Sequence, residues 1–171
     1  MEVSIIVISY NQEKYIKKCI SSILEQVVDF ECELIIADDH SKDRTFSIIS
    51  EEVKHSNFNV NILNRQENLG VCANLIDAIS NAKGKYIAIC EGDDYWLDEC
   101  KLKYQYEYLK NNSDCNIIFT AAIAVGQGRS NLINWHGNKI KEVSASEVIL
   151  NRGGYMPTAS LFIRKSEIEP S

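Results

Sequence analysis

The chain has 171 residues, 45% of them hydrophobic and 25% charged, with a formal net charge of −6. That length supports one full hydrophobic core and crowds two. The acidic balance argues against a nucleic-acid partner, which needs a basic face, and scarce Pro and Gly argue against linkers and disorder.

Residues 1–9 carry no basic stretch and too short an apolar run for a signal peptide. No run approaches the ~20 apolar residues of a membrane helix. Six cysteines are scattered without a Cys-x-x-Cys pair or neighbouring His. They read as free, mostly buried thiols in a reducing cytosol, so a cytoplasmic location is expected.

Strand and helix signals alternate along residues 1–111. Residues 3–9 are a β-branched run, the mark of a strand covered on both faces. Over 13–27, Ile16, Cys19, Ile20, Ile23, Leu24 and Val27 recur at helical spacing. A second buried strand is predicted over 33–37, ending at Asp38-Asp39. The polar turn His40-Ser41-Lys42-Asp43 follows, then a helix presenting Phe46, Ile49 and Val53. A third strand is predicted over 59–63.

The loop 64–70 leads into a helix with the stripe Val71, Leu75, Ala78, Ile79 and Ala82. Gly84 fits the left-handed position that stops it. Tyr86-Ile87-Ala88-Ile89-Cys90 reads as a fourth buried strand, and 98–111 as a helix with Leu102, Tyr106 and Leu109 inward. Beyond lie a strand over 116–125 folding back at Gly126-Gln127-Gly128, and a short strand over 132–135. A helix over 144–151, a break at Gly153-Gly154 and a strand over 159–164 complete the chain.

This alternation implies right-handed crossovers and an α/β fold: a mainly parallel central sheet flanked by helices, with a small antiparallel element in the C-terminal part. Ligands on such sheets sit outside the carboxyl ends of the strands. Three polar clusters fall at those ends: Ser9-Tyr10-Asn11, Asp38-Asp39 and Glu91-Gly92-Asp93-Asp94. The last is the sharpest signal. Its carboxylates repel one another, and Mg²⁺ or Mn²⁺ holding a phosphate ester is the usual relief.

Simpler roles stand beside these. Asp38, Asp39, Ser41 and Asp43 are residue types that open turns and cap helices. Glu91 to Asp94 fits a solvated loop, with Asp98 capping the next helix. Tyr104, Tyr106 and Tyr108 share a helix but not one face, which favours core and rim packing. His40, His55 and His136 have no partner at metal-ligand spacing. Trp135 with His136, and Tyr155 with Met156, read equally as acceptor-pocket lining or plain packing.

In order and spacing the pieces resemble a family 2 glycosyltransferase with the GT-A fold. The resemblance rests on Val3-Ser4-Ile5-Ile6-Val7-Ile8-Ser9-Tyr10-Asn11 and on Glu33-Leu34-Ile35-Ile36-Ala37-Asp38-Asp39-His40-Ser41-Lys42-Asp43-Arg44-Thr45. It continues through Glu67-Asn68-Leu69-Gly70 and Ala82-Lys83-Gly84-Lys85-Tyr86 into the acidic motif. It implies inverting, metal-dependent transfer of a sugar from a nucleotide-sugar donor, UDP-linked, to a saccharide or lipid-linked acceptor. Tyr95-Trp96 resembles members that build surface polysaccharides.

By position, the resemblance sets Ser9, Tyr10 and Asn11 against the nucleotide base and makes Asp39 the acceptor of the uracil N–H. Asp38 is expected to point into the fold. Asp93 and Asp94 match the acids that contact the ribose and, through Mn²⁺ or Mg²⁺, the diphosphate. Asp94 is favoured as the direct ligand, with Asp93 and Glu91 beside it. Glu91 stands where the family pattern has Asp.

The cation would act as a Lewis acid at the departing diphosphate, and an inverting enzyme also needs a carboxylate base. In the family that base follows the segment resembling residues 156–164. No acid over 165–171 has the family's surroundings, so the general base is expected beyond Ser171. The expectation is one glycosyltransferase domain over 1–171, truncated before that base. Its nucleotide-sugar-binding half is 1–111, and 112–171 is an incomplete acceptor-side half. Peripheral contact with the inner membrane face, the identity of the base and the oligomeric state are left open.

Three rivals belong to other classes. A signalling receiver domain needs its acidic pair after the first strand, where this chain has Ser9-Tyr10-Asn11. A sugar nucleotidyltransferase needs a Gly-rich, basic loop there, and Tyr10-Asn11-Gln12-Glu13-Lys14 is no such loop. A nucleotide-binding module without transferase activity matches a chain lacking its base.

Overall fold

The computed structural model describes residues 1–126, 128–135, 137, 140–151 and 155–168. Gln127, His136, Gly153-Gly154 and Ser171 lie outside the described residues.

The elements run β1 (Val3–Ser9), α1 (Ile16–Leu24), β2 (Cys32–Asp38), α2 (Thr45–Glu52), β3 (Asn59–Asn64), α3 (Val71–Ser80), β4 (Tyr86–Glu91) and α4 (Lys101–Asn111). They continue with β5 (Ile117–Ile118), β6 (Ala122–Gly126), β7 (Arg129–Ile133), α5 (Ala145–Leu150) and β8 (Phe162–Arg164). The main sheet has the order β3-β2-β1-β4-β8-β5. Its first four strands are parallel, and β8 is antiparallel to both β4 and β5. β6 and β7 form a separate antiparallel hairpin.

The unbroken apolar run of β1 has its cause in this order: the strand is central, and all seven residues are buried. Alternate side chains serve two layers, as the pleat dictates. Val3, Ile5 and Val7 join Ile16, Ile20 and Ile23 of α1 and Leu102, Tyr106 and Leu109 of α4. Ile6 and Ile8 face the other way, onto Ala78 and Ala82 at the α3 end.

Several sequence expectations are corrected. α1 stops at Leu24 rather than continuing to residue 27, and Val27 is exposed. Here the chain is stitched to the start of α4: Val27 N–H donates to Glu99 O at 2.8 Å, and Gln26 Oε1 accepts from Leu102 N–H at 3.1 Å. In α3, Val71 is exposed and Asn74 takes the buried place below Ala78. That amide is satisfied, donating to Ala37 O at 2.9 Å and accepting from Arg65 Nε at 3.0 Å.

Gly84 is not a left-handed helix stop, for α3 ends at Ser80 with Asn81 in a right-handed conformation. Its constraint is close packing: a Cβ there would sit 2.4 Å from the Ser4 backbone nitrogen. The strand expected over 116–125 divides into β5 and β6, in different sheets. The fold-back itself is as expected, with Gly126 paired to Arg129, so the return strand begins at 129 rather than 132. Residues 158–160 form a 3₁₀ turn before β8 instead of the start of a strand.

Candidate functional site

From β1 the sheet order runs one way to β2 and β3, and the other way to β4. Such a reversal leaves a crevice at the carboxyl ends of the two central strands. A cleft of about 320 Å³ opens there, bordered by Ser9, Tyr10, Gln12, Asp39, Asn68, Glu91 and Asp93. All three polar clusters reach this edge. Asn11 and Asp94 are not among the residues that line the cleft.

At the end of β1, Ser9 is buried and its hydroxyl donates to Asp38 Oδ1 at 3.2 Å, while Tyr10 is half exposed at 46%. Asn11 adopts a left-handed φ of 54°, a conformation Asn tolerates better than most residues. Its groups serve the neighbouring turn: the N–H donates to Ser41 Oγ at 2.9 Å, and Oδ1 accepts from Lys42 N–H at 2.8 Å.

The two acids after β2 have different jobs. Asp38 points into the fold, as expected, and accepts from the Ser41 hydroxyl at 2.5 Å and the Ser41 N–H at 3.1 Å. Asp39 is buried at the cleft, where Oδ1 accepts from Leu69 N–H at 2.7 Å and Oδ2 from Gly70 N–H at 2.9 Å. Asn68 adds a bond from its amide to Asp39 O at 3.0 Å. Asp39 therefore clamps the 68–70 loop across the cleft, and each carboxylate oxygen keeps a further lone pair.

After β4 the chain turns tightly, with Gly92 N–H donating to Ile8 O and Asp94 N–H to Glu91 O, both at 2.9 Å. The turn is close-packed: a Cβ on Gly92 would come within 2.3 Å of Gln12 Oε1 and 3.0 Å of Ser9 Cβ, so the Gln12 side chain would have to move. Asp93 Oδ1 accepts from Gln12 Nε2 at 3.0 Å, and Gln12 Oε1 is buried without a partner. Burial first, then the Asp94 and Asp93 charges, raise the Glu91 pKa; burial and Asp93 raise that of Asp94. A nearby cation would reverse both effects.

The donor set is thus chemically suited to a hard divalent ion. Yet among the described residues no three Asp, Glu, His or Cys side chains converge as a ready metal-holding group. The predicted trio Glu91, Asp93 and Asp94 shares one turn without meeting at a point. The general base was expected beyond Ser171, and Ser171 itself lies outside the described residues, so the geometry of the cleft assigns no residue to that role. Sequence reasoning missed Gln12, Asn68 and Asn74. Gln12 left no signal, because its role depends on a turn 81 residues away. Asn74 showed as a polar interruption of an apolar stripe.

A family model described as glycosyl transferase family 2 matches residues 4–168. An uncharacterised protein of Mycobacterium tuberculosis is 44% identical over 116 residues, which is 68% of this chain and 34% of that protein. The poly(ribitol-phosphate) beta-glucosyltransferase of Bacillus spizizenii is 34% identical over 119 residues, 68% of this chain and 19% of that protein. S. aureus TarS 1–349, solved with UDP-GlcNAc, has a TM-score of 0.74 at 24% identity, covering 97% of this chain and 46% of TarS. A mannosyltransferase of Pyrobaculum calidifontis, solved with GDP-Man and Mn²⁺, gives 0.62 at 23% identity, covering 68% of this chain and 34% of its own. This chain therefore spans less than half the length of each of these proteins. At those identities the structural likeness speaks for the fold alone.

Proposed function

The chain belongs to glycosyl transferase family 2 and has the GT-A fold, and from that premise we propose that the cleft is the donor site of an inverting transferase. Its donor is a nucleotide sugar, UDP-linked, and its acceptor a saccharide or lipid-linked glycan of the cell surface. One observation carries this: Ser9, Asp39, Glu91 and Asp93, from three neighbouring strand ends, border a single cleft. The UDP-GlcNAc in the TarS structure and the glucosyltransferase name of the Bacillus spizizenii relative support the choice of donor and acceptor class.

In this proposal Tyr10 lies against the base, with Ser9 and Asn11 holding the loop behind it. Asp39 receives the uracil N–H on a free lone pair while clamping Leu69 and Gly70. Asp93, Asp94 and Glu91 hold Mn²⁺ or Mg²⁺, and Gln12 keeps Asp93 turned toward the cleft. When bound, the cation stabilises negative charge on the leaving diphosphate. The Mn²⁺ in the mannosyltransferase structure supports the choice of ion.

Residues 1–111 form the donor half and 112–171 part of the acceptor half, with the general base unassigned. The location proposed is cytoplasmic, including the inner membrane face. Among the described residues no helix is long and apolar enough to cross a membrane. Calorimetry with UDP tests the reading: binding should require Mn²⁺ and weaken roughly tenfold or more in Asp94→Asn and Asp39→Ala, each losing a charged partner. Binding indifferent to Mn²⁺, or no binding by the folded chain, overturns it.

A further inference from the structure

Two clefts lie on different parts of the chain. One is bordered by Glu91 and Asp93. The other, about 1080 Å³, is lined by Tyr108, Phe119, Trp135, Ile140 and Met156 among others. Directly after Met156 the chain makes a turn over 157–160 that packs on β4, closed by Ser160 N–H to Pro157 O at 2.9 Å and Leu161 N–H to Thr158 O at 3.1 Å.

Its last two carbonyls are held by side chains of the segment that follows the acidic turn. Trp96 Nε1 donates to Ala159 O at 2.7 Å, and Gln105 Nε2 donates to Ser160 O at 2.8 Å. Lys101 joins the pair, with its ammonium 4.2 Å from the centre of the Trp96 ring and donating to Gln105 Oε1 at 2.7 Å. Trp96, two residues after Asp94, is itself anchored by a bond from its N–H to Ser22 Oγ at 3.0 Å. All three side chains are buried.

Packing alone does not account for this set. An apolar side chain would fill the place of Lys101 without desolvating a charge. What the ammonium adds is orientation: by donating to Oε1 it turns the Gln105 amide so that its N–H end meets Ser160. Once buried, such a network holds its members together, because each broken bond strands a polar group.

We propose that Trp96, Lys101 and Gln105 are positioning residues that join the acidic turn at 91–94 and the turn at 157–160 into one mechanical unit. Occupation of the first cleft is thereby felt at the border of the second. The identity of the ligand rests on the donor-site proposal; the coupling is a property of the bare chain.

Amide hydrogen exchange tests it. Gln105 bonds to Ser160 and Lys101 but to neither Gly92 nor Asp94. In Gln105→Leu the amides of Ser160 and Leu161 should exchange roughly tenfold faster, as expected when a buried carbonyl loses its donor. Those of Gly92 and Asp94 should accelerate by a similar factor. Gln105→Glu keeps the acceptor for Lys101 but loses the donor to Ser160, and Trp96→Phe keeps a ring but loses its N–H. Both should give the same joint loosening if Gln105→Leu fails to fold.

Loosening confined to Ser160 and Leu161 in the Gln105 variants overturns the proposal. In the unsubstituted chain, UDP with Mn²⁺ should slow all four amides, and slowing of Gly92 and Asp94 alone also overturns it. Joint loosening in the variants with no effect of UDP and Mn²⁺ upholds the coupling and removes the donor-site assignment instead.

Discussion

The two ends of this chain use their apolar residues in opposite ways. Every residue of β1 is buried, whereas no described residue from 112 to 151 is. Ile123, Val125, Leu132, Trp135, Ile140, Ile149 and Leu150 are all exposed. Sidedness, more than apolar content, separates the regions: β1 lies between two helical layers, while the β6–β7 hairpin is a sheet of its own. The cleft proposed as the donor site sits at the edge of the well-packed region, where rigid strand ends can hold acids close together.

That contrast predicts where substitutions hurt. The largest effect is expected at Gly84, whose added methyl would collide with backbone rather than a movable side chain. Gly84→Ala should cost several kcal/mol, about 3 or more, in urea denaturation. Gly126 has open space around it, so Gly126→Ala should change stability by no more than ~0.5 kcal/mol. Equal costs at the two positions would break the comparison.

Next in size is removal of core methyl groups. Ile20→Ala leaves a hole in the layer between α1 and the sheet and should cost roughly 2–5 kcal/mol. Ile123→Ala, on the exposed hairpin, should stay within about 0.5 kcal/mol. A large loss at Ile123 would mean that the hairpin is covered in solution, which dilution or sizing would reveal.

Asp39 should come third. Asp39→Ala removes the charged acceptor of the Leu69 and Gly70 N–H groups, at a cost of roughly 1–3 kcal/mol. Asp39→Asn keeps one acceptor and should recover part of it. UDP affinity separates the two roles proposed for this residue. If Asp39 acts only as a clamp, affinity should follow stability across both variants; if it also meets the base, Asp39→Asn should bind poorly while remaining well folded.

How much was legible in the sequence follows the same divide. β1, β2 and β4 announced themselves because burial on both faces calls for a mostly apolar run, and residues at their polar ends border the cleft. Helix limits were less visible. Val27 continues the apolar period of α1, yet Gln26 is needed at the start of α4, a contact 76 residues distant. Gly84 signals a special backbone in either reading, and only its approach to Ser4 shows which. No residue of β5, β6 or β7 is buried, so residues 116–125 carried no periodic mark of where β5 ends and β6 begins. Asp39 stood out by its place at the end of β2, but its clamp on residues 69 and 70 lies in tertiary contacts.

The smallest predicted effect is also the one tied to the most unusual residue of the well-packed region. Burial lowers the Lys101 pKa from 10.5 to about 7, with Cys90 pulling weakly the other way. Between those values the unfolded chain binds a proton that the folded chain releases, so stability rises with pH. From pH 7 to 8 the gain should be about 1 kcal/mol, read from urea midpoints at each pH. Lys101→Met removes the titrating group and should flatten that rise. Lys141 supplies the contrast, since its surface pair with Glu147 at 2.5 Å raises its pKa above 10.5. The contribution of that pair is constant across pH 7 to 8 and on the alkaline side falls only above pH 10.5, so Lys141→Met should leave the trend between pH 7 and 8 intact. A flat wild-type curve over that interval would mean that the Lys101 ammonium is hydrated, and the buried region would then be less closed than its strand patterns imply.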